Sequence, residues 1–96
     1  MKEYYVYIMA STKNGVLYIG VTGNLLKRVY QHREGIVEGF SEQYKTKRLV
    51  YFESSTDITS CIEREKQLKN WKRQWKKELI EKTNPQWEDL WHKIAS

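Results

Sequence analysis

The chain has 96 residues, of which 40% are hydrophobic, and its formal charge is +5. This length supports one modest hydrophobic core, so we expect a single domain over residues 1–96, and the charge favours an anionic partner, most simply a nucleic acid. The single Cys61 excludes an intrachain disulfide and argues against structural zinc. We find no leader sequence and no apolar run near the roughly 20 residues that span a bilayer, so we expect a cytoplasmic protein with no membrane partner.

The first predicted element is a β-hairpin over residues 4–21. Two runs rich in aromatic and β-branched residues flank Asn14-Gly15, a dipeptide that readily adopts positive φ in a turn. If Ala10 pairs with Gly15, Tyr7 lies opposite Tyr18 and both phenols project from one face of the sheet. Ordinary cross-strand packing is the alternative role for these two rings. The other face is expected to supply the core, with Val6, Ile8, Leu17, Ile19 and Val21.

A helix follows at about residues 24–33, with Thr22 or Asn24 as its start signal and Gly35 as its stop. Arg28 and His32 are four residues apart, so they project from the same side of this helix. Taken alone, Arg28 reads as a solvated surface charge and His32 as a polar residue near a helix end. The predicted apolar stripe of the helix is Leu25, Leu26, Val29 and Tyr30.

The middle of the chain predicts a loop and then a third strand. Residues 35–47 are polar and irregular, so they are predicted as a loop that closes over a substrate, with Tyr44 as an exposed aromatic. Residues 48–53 are predicted as a strand added to the hairpin sheet.

Glu65 lies in the predicted inward stripe of a second helix, which begins near Ile58 after a capping Thr56 or Asp57. The apolar members of that stripe are Ile58, Cys61, Ile62 and Leu68. A carboxylate on such a stripe is costly unless a cation or hydrogen bonds compensate it. An ion pair with Lys69, four residues later, is one answer. The other is a ligand for a single Mg²⁺ or Mn²⁺ ion, since magnesium commonly takes one or two carboxylates and keeps several waters, so that one protein ligand is sufficient.

The chain is densely basic beyond Glu65. Cations spaced along this segment favour contact with a phosphate backbone, a solvated helix face being the alternative, and Trp71 and Trp75 are predicted to dock the segment onto the core. The candidate nucleic-acid contacts are Lys69, Lys72, Arg73 and Lys76. Residues 71–96 are predicted as a helical extension, interrupted at Asn84-Pro85 and closed by an amphipathic segment that caps the core.

The spacing of the candidate residues resembles the GIY-YIG endonuclease family, in particular its small stand-alone members related to the nuclease part of a bacterial excision-repair subunit. The resemblance rests on Tyr5-Val6-Tyr7 and Tyr18-Ile19-Gly20, followed by Arg28, His32 and Glu65. It covers roughly residues 4–70, and Tyr5 stands where the family often has a glycine.

The resemblance implies a role for each of these side chains. Tyr7 and Tyr18 would lie over the scissile phosphate, one acting on the attacking water and the other on the phosphate or its departing oxygen, with the choice between them open. A free phenol has a pKa near ~10, so a basic role needs a nearby cation. Arg28 would bind the phosphate through its planar fork of donors, and His32 would assist proton transfer near neutral pH.

The resemblance also implies the metal and the reaction. Glu65 would be the metal ligand, and a late asparagine near the site would be Asn84, for which a plain helix end is the alternative. The predicted fold is α+β, a small and mainly antiparallel three-stranded sheet flanked by helices. The predicted function is metal-dependent hydrolysis of DNA phosphodiester bonds in repair or processing, selective for structure rather than sequence. The alternatives are a binding module without catalysis and a subunit that recruits a partner to DNA; RNA stays open as a substrate.

Overall fold

The computed structural model describes residues 1–36 and 44–96, which form three strands and four helices. The elements in chain order are β1 (Tyr4–Ala10), β2 (Leu17–Thr22), α1 (Leu25–Arg33), β3 (Arg48–Ser55), α2 (Ile58–Asn70), α3 (Arg73–Thr83) and α4 (Trp91–Ala95). The three strands form one antiparallel sheet in the order β2-β1-β3, which confirms the predicted α+β fold. None of the helices in the described part of the chain is long and apolar enough to cross a membrane.

The predicted register of the hairpin is wrong by two residues. Ala10 pairs with Leu17, and Tyr7 therefore lies opposite Gly20 rather than opposite Tyr18. The reason is a longer turn, closed by a backbone hydrogen bond of 3.0 Å from Ser11 to the Val16 carbonyl. Side chains alternate with a period of two, so a two-residue shift leaves both tyrosines on the same face.

The two edge strands, β2 and β3, pair with β1 in different ways. β3 is two residues longer than predicted and pairs with β1 through a bulge, since Ile8 pairs with Tyr51 and Met9 pairs with Leu49. β2 is the other edge strand and pairs only with β1. Bulges strengthen local twist and redirect side chains.

Both faces of the sheet are covered, which makes a three-layer arrangement. α2 and α3 cover one face and α1 and α4 cover the other. Burying each large apolar side chain stabilises the fold by about 1.5–3 kcal/mol relative to exposure. The core on the α2 side comprises Val6, Ile8, Ala10, Ile19, Val50, Cys61, Leu68, Ile80 and Trp87. The core on the α1 side comprises Tyr7, Met9, Leu25, Val29, Leu49 and Leu90.

The helical stripes are narrower than predicted. On α1, Leu25 and Val29 are buried but Leu26 and Tyr30 are exposed. On α2, Ile58 and Ile62 are exposed, while Cys61 and Leu68 make the buried contact. A helix contacts a sheet along a narrow line of residues. Apolar residues on that line are buried, and apolar residues to either side of it stay exposed, which explains why the buried stripes are narrower than predicted.

The segment with the two tryptophans is two helices rather than one. α2 ends at Asn70, and α3 begins at Arg73 after Trp71 and Lys72, both of which have extended backbone. Trp71 packs against the core as predicted, but Trp75 is 49% exposed, so its predicted docking is wrong.

The C-terminal segment is fixed by specific polar contacts. Asn84 ends α3, and its buried amide donates to the carbonyls of Val50 (3.1 Å) and Glu88 (2.9 Å). Asp89 forms an ion pair with Arg33, which joins this segment to α1. The predicted closing loop lies largely outside the described residues, because residues 37–43 are among those not described; Tyr44 is described and is partly exposed.

Candidate active site

Four predicted site residues converge on one face of the sheet, and we call them the tyrosine cluster: Tyr7, Tyr18, Arg28 and His32. The Tyr7 hydroxyl lies 3.0 Å from Nε2 of His32, and Nε of Arg28 donates to the same hydroxyl at 3.3 Å. The Tyr18 ring centroid is 4.9 Å from that of His32 and 6.2 Å from that of Tyr7. β1, β2 and α1 therefore each contribute at least one member.

The local sequence explains why α1 presents Arg28 and His32 to the two phenols. The side chain of Asn24 caps the helix by accepting from the Lys27 amide at 3.1 Å. Leu25 and Val29 then anchor the helix on the sheet, and His32 is three residues beyond Val29 on the same side. His32 is consequently buried, and not a polar residue at an exposed helix end.

Gly20 is a site residue to which no role was assigned from the sequence beyond its place in the Tyr18-Ile19-Gly20 triplet. The Tyr7 ring lies directly across it, so that a Cβ added at Gly20 would be 2.6 Å from the Tyr7 hydroxyl and 2.7 Å from the ring carbon that bears it. Any side chain here would therefore displace the phenol. The signal was present, because Gly20 is two residues from Tyr18 on the same strand and so shares its face.

The electrostatics of the cluster keep both of its buried groups neutral. Burial raises the pKa of Tyr7 to about 12, with Arg28 partly opposing the shift. Burial, together with the nearby charge of Arg28, lowers the pKa of His32 to about 4. Burial lowers the pKa of Arg28, but its interactions with Tyr7 and Tyr18 raise it above the ordinary value overall. The cluster therefore presents one fixed positive charge beside neutral proton donors and acceptors.

The two phenols differ in access. Tyr7 is only 1% exposed, whereas Tyr18 is partly exposed and lines a cleft of about 280 Å³ beside β2. We call this the lysine cleft; its lining residues are Leu17, Tyr18, Ile19, Lys69 and Lys76. Tyr18 is thus shared between the tyrosine cluster and the lysine cleft. The larger cavity of about 520 Å³ lies near the N-terminus, around Tyr5 and Phe52, and contains no cluster residue.

Glu65 lies on the line of α2 that contacts the sheet, four residues after the buried Cys61 and three before the buried Leu68. Its side chain is 22% exposed, and Oε1 lies 3.5 Å from Nζ of Lys69, whose side chain is 55% exposed. The ion-pair alternative for Glu65 is therefore present in the structure. A pair this exposed is weak, of order 0.3–0.5 kcal/mol for neighbours on a helix, so it would yield readily to another partner.

The donor set around Glu65 suits a hard divalent ion only with help from water and substrate. Within residues 1–36 and 44–96, no group of three or more His, Cys, Asp or Glu side chains is placed to hold a metal ion. Magnesium keeps several waters and binds one or two carboxylates together with substrate phosphates. A single, partly exposed carboxylate fits that pattern and predicts weak metal binding without nucleic acid.

The predicted nucleic-acid contacts have different environments. Lys69 and Lys76 line the lysine cleft, and Nζ of Lys76 also reaches the Lys69 carbonyl at 3.5 Å. Lys72 lies over the Trp75 ring, 5.6 Å from its centroid. Arg73 donates to the carbonyls of Asn14, at 2.8 Å, and Gly15, which fastens α3 to the hairpin turn.

Asn84 is the one candidate whose polar atoms are fully engaged by backbone. Besides its two donated hydrogen bonds, its side-chain oxygen accepts from the Glu88 amide at 2.9 Å. It contacts β3, and β1 separates β3 from the strand that carries Tyr18. These contacts explain Asn84 as a brace for the C-terminal segment.

Comparison with known proteins bears on what this arrangement does. The family model described as the GIY-YIG catalytic domain matches residues 3–78. A UPF0213 protein of Syntrophus aciditrophicus is 32% identical over 87 residues, covering 90% of this chain and 98% of that protein. A UPF0213 protein of Staphylococcus saprophyticus is 31% identical over 80 residues, covering 83% of this chain and 96% of that protein.

The fold has a match among solved structures. The solution NMR structure of a UPF0213 protein from Bacillus halodurans aligns with a TM-score of 0.55 and 24% sequence identity. The alignment covers 91% of this chain and 92% of that chain. This likeness supports the three-stranded α+β architecture.

Proposed function

This chain belongs to the GIY-YIG catalytic-domain family, and on that premise we propose that it is a divalent-metal-dependent endonuclease that hydrolyses DNA phosphodiester bonds. The family supports a nuclease-type function; the metal, DNA as the substrate and a role in repair or processing are our proposals. The observation that carries them is the convergence of two phenols, a guanidinium and an imidazole. The Tyr7 hydroxyl is within hydrogen-bond distance of His32 and Arg28, and the Tyr18 ring packs against the rings of His32 and Tyr7.

Arg28 supplies the fixed charge for the reacting phosphate. Its Nε already donates to Tyr7 and one of its terminal nitrogens donates to Gln31 at 3.2 Å, which leaves the other N–H groups of the guanidinium for phosphate oxygens. Charge that is positioned before the substrate arrives needs no reorganisation during the reaction, so it stabilises developing negative charge efficiently. Arg28 therefore lowers the barrier rather than merely attracting the strand.

The difference in access assigns separate tasks to the phenols. Tyr18 is partly exposed in the lysine cleft, so it meets the attacking water or a phosphate oxygen. Tyr7 is buried and its hydroxyl stays protonated, because its pKa is raised to about 12. Neutral His32 can accept that hydroxyl hydrogen while Arg28 donates to the same oxygen. Tyr7 thus orients the guanidinium and the imidazole around the reacting group.

Glu65 is the residue that would hold the divalent ion, which, when bound, would supply Lewis-acid stabilisation to the phosphate oxygens. Glu65 would then give up its weak contact with Lys69. Lys69 then becomes available to a phosphate within the same cleft. On this proposal, the two alternatives for Glu65 are two states of one carboxylate.

The test is incubation with labelled duplex, nicked, branched and single-stranded DNA and with RNA, in Mg²⁺, in Mn²⁺ and in EDTA. We expect cleavage only with a divalent ion, and no cleavage by folded Glu65→Ala protein. Removing this carboxylate from a largely apolar contact line should leave thermal stability unchanged or slightly higher. Unchanged cleavage by Glu65→Ala would refute the metal-ligand role, and a markedly lower unfolding temperature would favour a purely structural ion pair.

A further inference from the structure

Trp75 is a large aromatic side chain that the folded chain leaves half uncovered. It is 49% exposed in the first turn of α3, although its neighbour Trp71 packs on the core. The two ring planes are nearly perpendicular, at 87°, with centroids 6.1 Å apart. Trp71 therefore holds Trp75 in a defined orientation without burying it, and the exposed ring is a preset surface.

The surroundings of Trp75 are positively charged. Nζ of Lys72 lies 5.6 Å from its ring centroid, and the next residue, Lys76, lines the lysine cleft. Neither Lys72 nor Lys76 has an ion-pair partner within the described part of the chain. Arg73 ties the start of the same helix to the hairpin turn, and Lys76 of this helix lines the same cleft as Tyr18.

An exposed aromatic ring among unpaired cations matches the chemistry of a single nucleic-acid strand. Bases stack on aromatic side chains regardless of their identity, while cations track the phosphates. A base inside a duplex has both faces covered by neighbouring bases, so only an unpaired base can use such a ring. A purely apolar partner would have to bury Lys72 and Lys76 without compensation.

We propose that Trp75 is a stacking site for an unpaired nucleobase, whose adjoining phosphate is held by Lys69 and Lys76 in the lysine cleft. The inference rests on the proposed function in one respect, that the strand in the cleft is the one presented to Tyr18. The preferred substrate is then a strand with at least one unpaired nucleotide beside the scissile bond. A frayed end, a flap or a single strand qualifies, and an intact duplex does not.

The experiment measures binding in EDTA, where no cleavage interferes. Two ligands of equal length and charge are compared, a thymidine oligonucleotide and an abasic deoxyribose-phosphate oligonucleotide. We expect wild-type protein to prefer the thymidine ligand by about tenfold, in line with aromatic stacking on one base. Trp75→Phe should keep most of this preference, since it keeps an aromatic face. Trp75→Leu should remove it, since leucine fills a similar volume without one.

Tyr30→Leu is the matched control, because Tyr30 is an equally exposed aromatic on α1, across the sheet from Trp75. It should bind both ligands as the wild type does. Acrylamide quenching of wild-type tryptophan fluorescence gives a reading that needs no variant. The thymidine oligonucleotide should protect the exposed tryptophan and the abasic one should not.

The outcomes separate this inference from the proposed function. Equal wild-type affinity for the two ligands, or an undiminished preference in Trp75→Leu, would overturn the stacking site even if DNA is cleaved. A tenfold preference that depends on Trp75 would uphold the site even if no metal supports cleavage, in which case the chain binds strands without cutting them.

Discussion

The tyrosine cluster and the lysine cleft share Tyr18 but differ in how deeply their side chains are buried and how closely they contact one another. In the cluster, Tyr7 and His32 are buried and joined by a hydrogen bond of 3.0 Å, and Arg28 donates to the same Tyr7 hydroxyl at 3.3 Å. In the cleft, Lys69 is more than half exposed and meets Glu65 only at 3.5 Å. The tyrosine cluster is therefore organised before any ligand arrives, and we call it the organised region. The contacts of the lysine cleft can instead be replaced by those of a ligand.

The largest effects should come from removing one atom from the organised region. Tyr18→Phe and Tyr7→Phe keep the ring packing but delete the hydroxyl, so we expect cleavage about a hundredfold slower or more, with little change in DNA affinity. Single-turnover rates and binding isotherms measure the two quantities. Tyr5→Phe is the control, because the Tyr5 hydroxyl bonds Glu3 on the surface. Wild-type rates in both test variants would remove the phenols from the mechanism.

The packing of the cluster can be disturbed without substituting any of its four side chains. Gly20→Ala puts a methyl group 2.6 Å from the Tyr7 hydroxyl, so the ring must shift. We expect a loss of about 1–3 kcal/mol in unfolding free energy, typical of an overpacked core, together with slower cleavage. Gly23→Ala is the matched control. A Cβ added at Gly23 would lie 3.0 Å from the flexible end of the Lys2 side chain, which can move away. Equal unfolding midpoints for the two variants in denaturant would show that Tyr7 does not need the space at Gly20.

Lowering the pH should reduce the stability of the fold, because His32 is buried in its neutral form. Its folded pKa, about 4, lies below its ordinary value of 6.5, so the unfolded chain binds more protons between these pH values. Stability is therefore lost as pH falls from about 6.5 towards 4, by at most about 1.4 kcal/mol per pH unit from this group. Unfolding curves at several pH values should show this slope, and His32→Gln should reduce it. An identical acid slope in the variant would mean that His32 is not buried in its neutral form.

The smallest effects should come from the cations at the start of α3, and these cations differ in role. Lys72→Gln and Lys76→Gln should each flatten the logarithmic salt dependence of duplex binding by roughly 0.9 if that lysine contacts a phosphate. Arg73→Gln should instead lower stability, because Arg73 donates to the carbonyls of Asn14 and Gly15. Binding isotherms at several salt concentrations and thermal unfolding test both. A salt slope that only Arg73→Gln alters would reverse this division.

The features that could be predicted from the sequence are those set by the side-chain periodicity of strands and helices and by local capping residues. Strand alternation placed Tyr7 and Tyr18 on one face, and helical spacing placed Arg28 and His32 on one side of α1. Both survived the register error because a shift of two residues preserves the face. The Asn24 cap and the start of α2 at Ile58 were likewise readable from local residue types.

The rest depended on tertiary geometry that no local pattern encodes. The turn length that sets Gly20 opposite Tyr7 follows from how the hairpin closes, and the break after Asn70 has neither glycine nor proline to announce it. The exposure of Trp75 follows from that break, because α3 leaves the line of α2. Whether Lys69 pairs with Glu65 or faces a phosphate is likewise a matter of distance, which spacing alone left open.

The central claim is that the two regions act on one phosphate, and a double substitution tests it most directly. Single-turnover cleavage would be measured in Mn²⁺ for wild-type protein, Tyr18→Phe, Glu65→Gln and the combined variant. Groups that act as a unit are strongly non-additive. We predict that each single change slows cleavage by about a hundredfold or more, and that the combined variant is no slower than the slower single one. A combined variant slowed by the product of the two single losses, or a Glu65→Gln protein that cuts at the wild-type rate, would contradict the account.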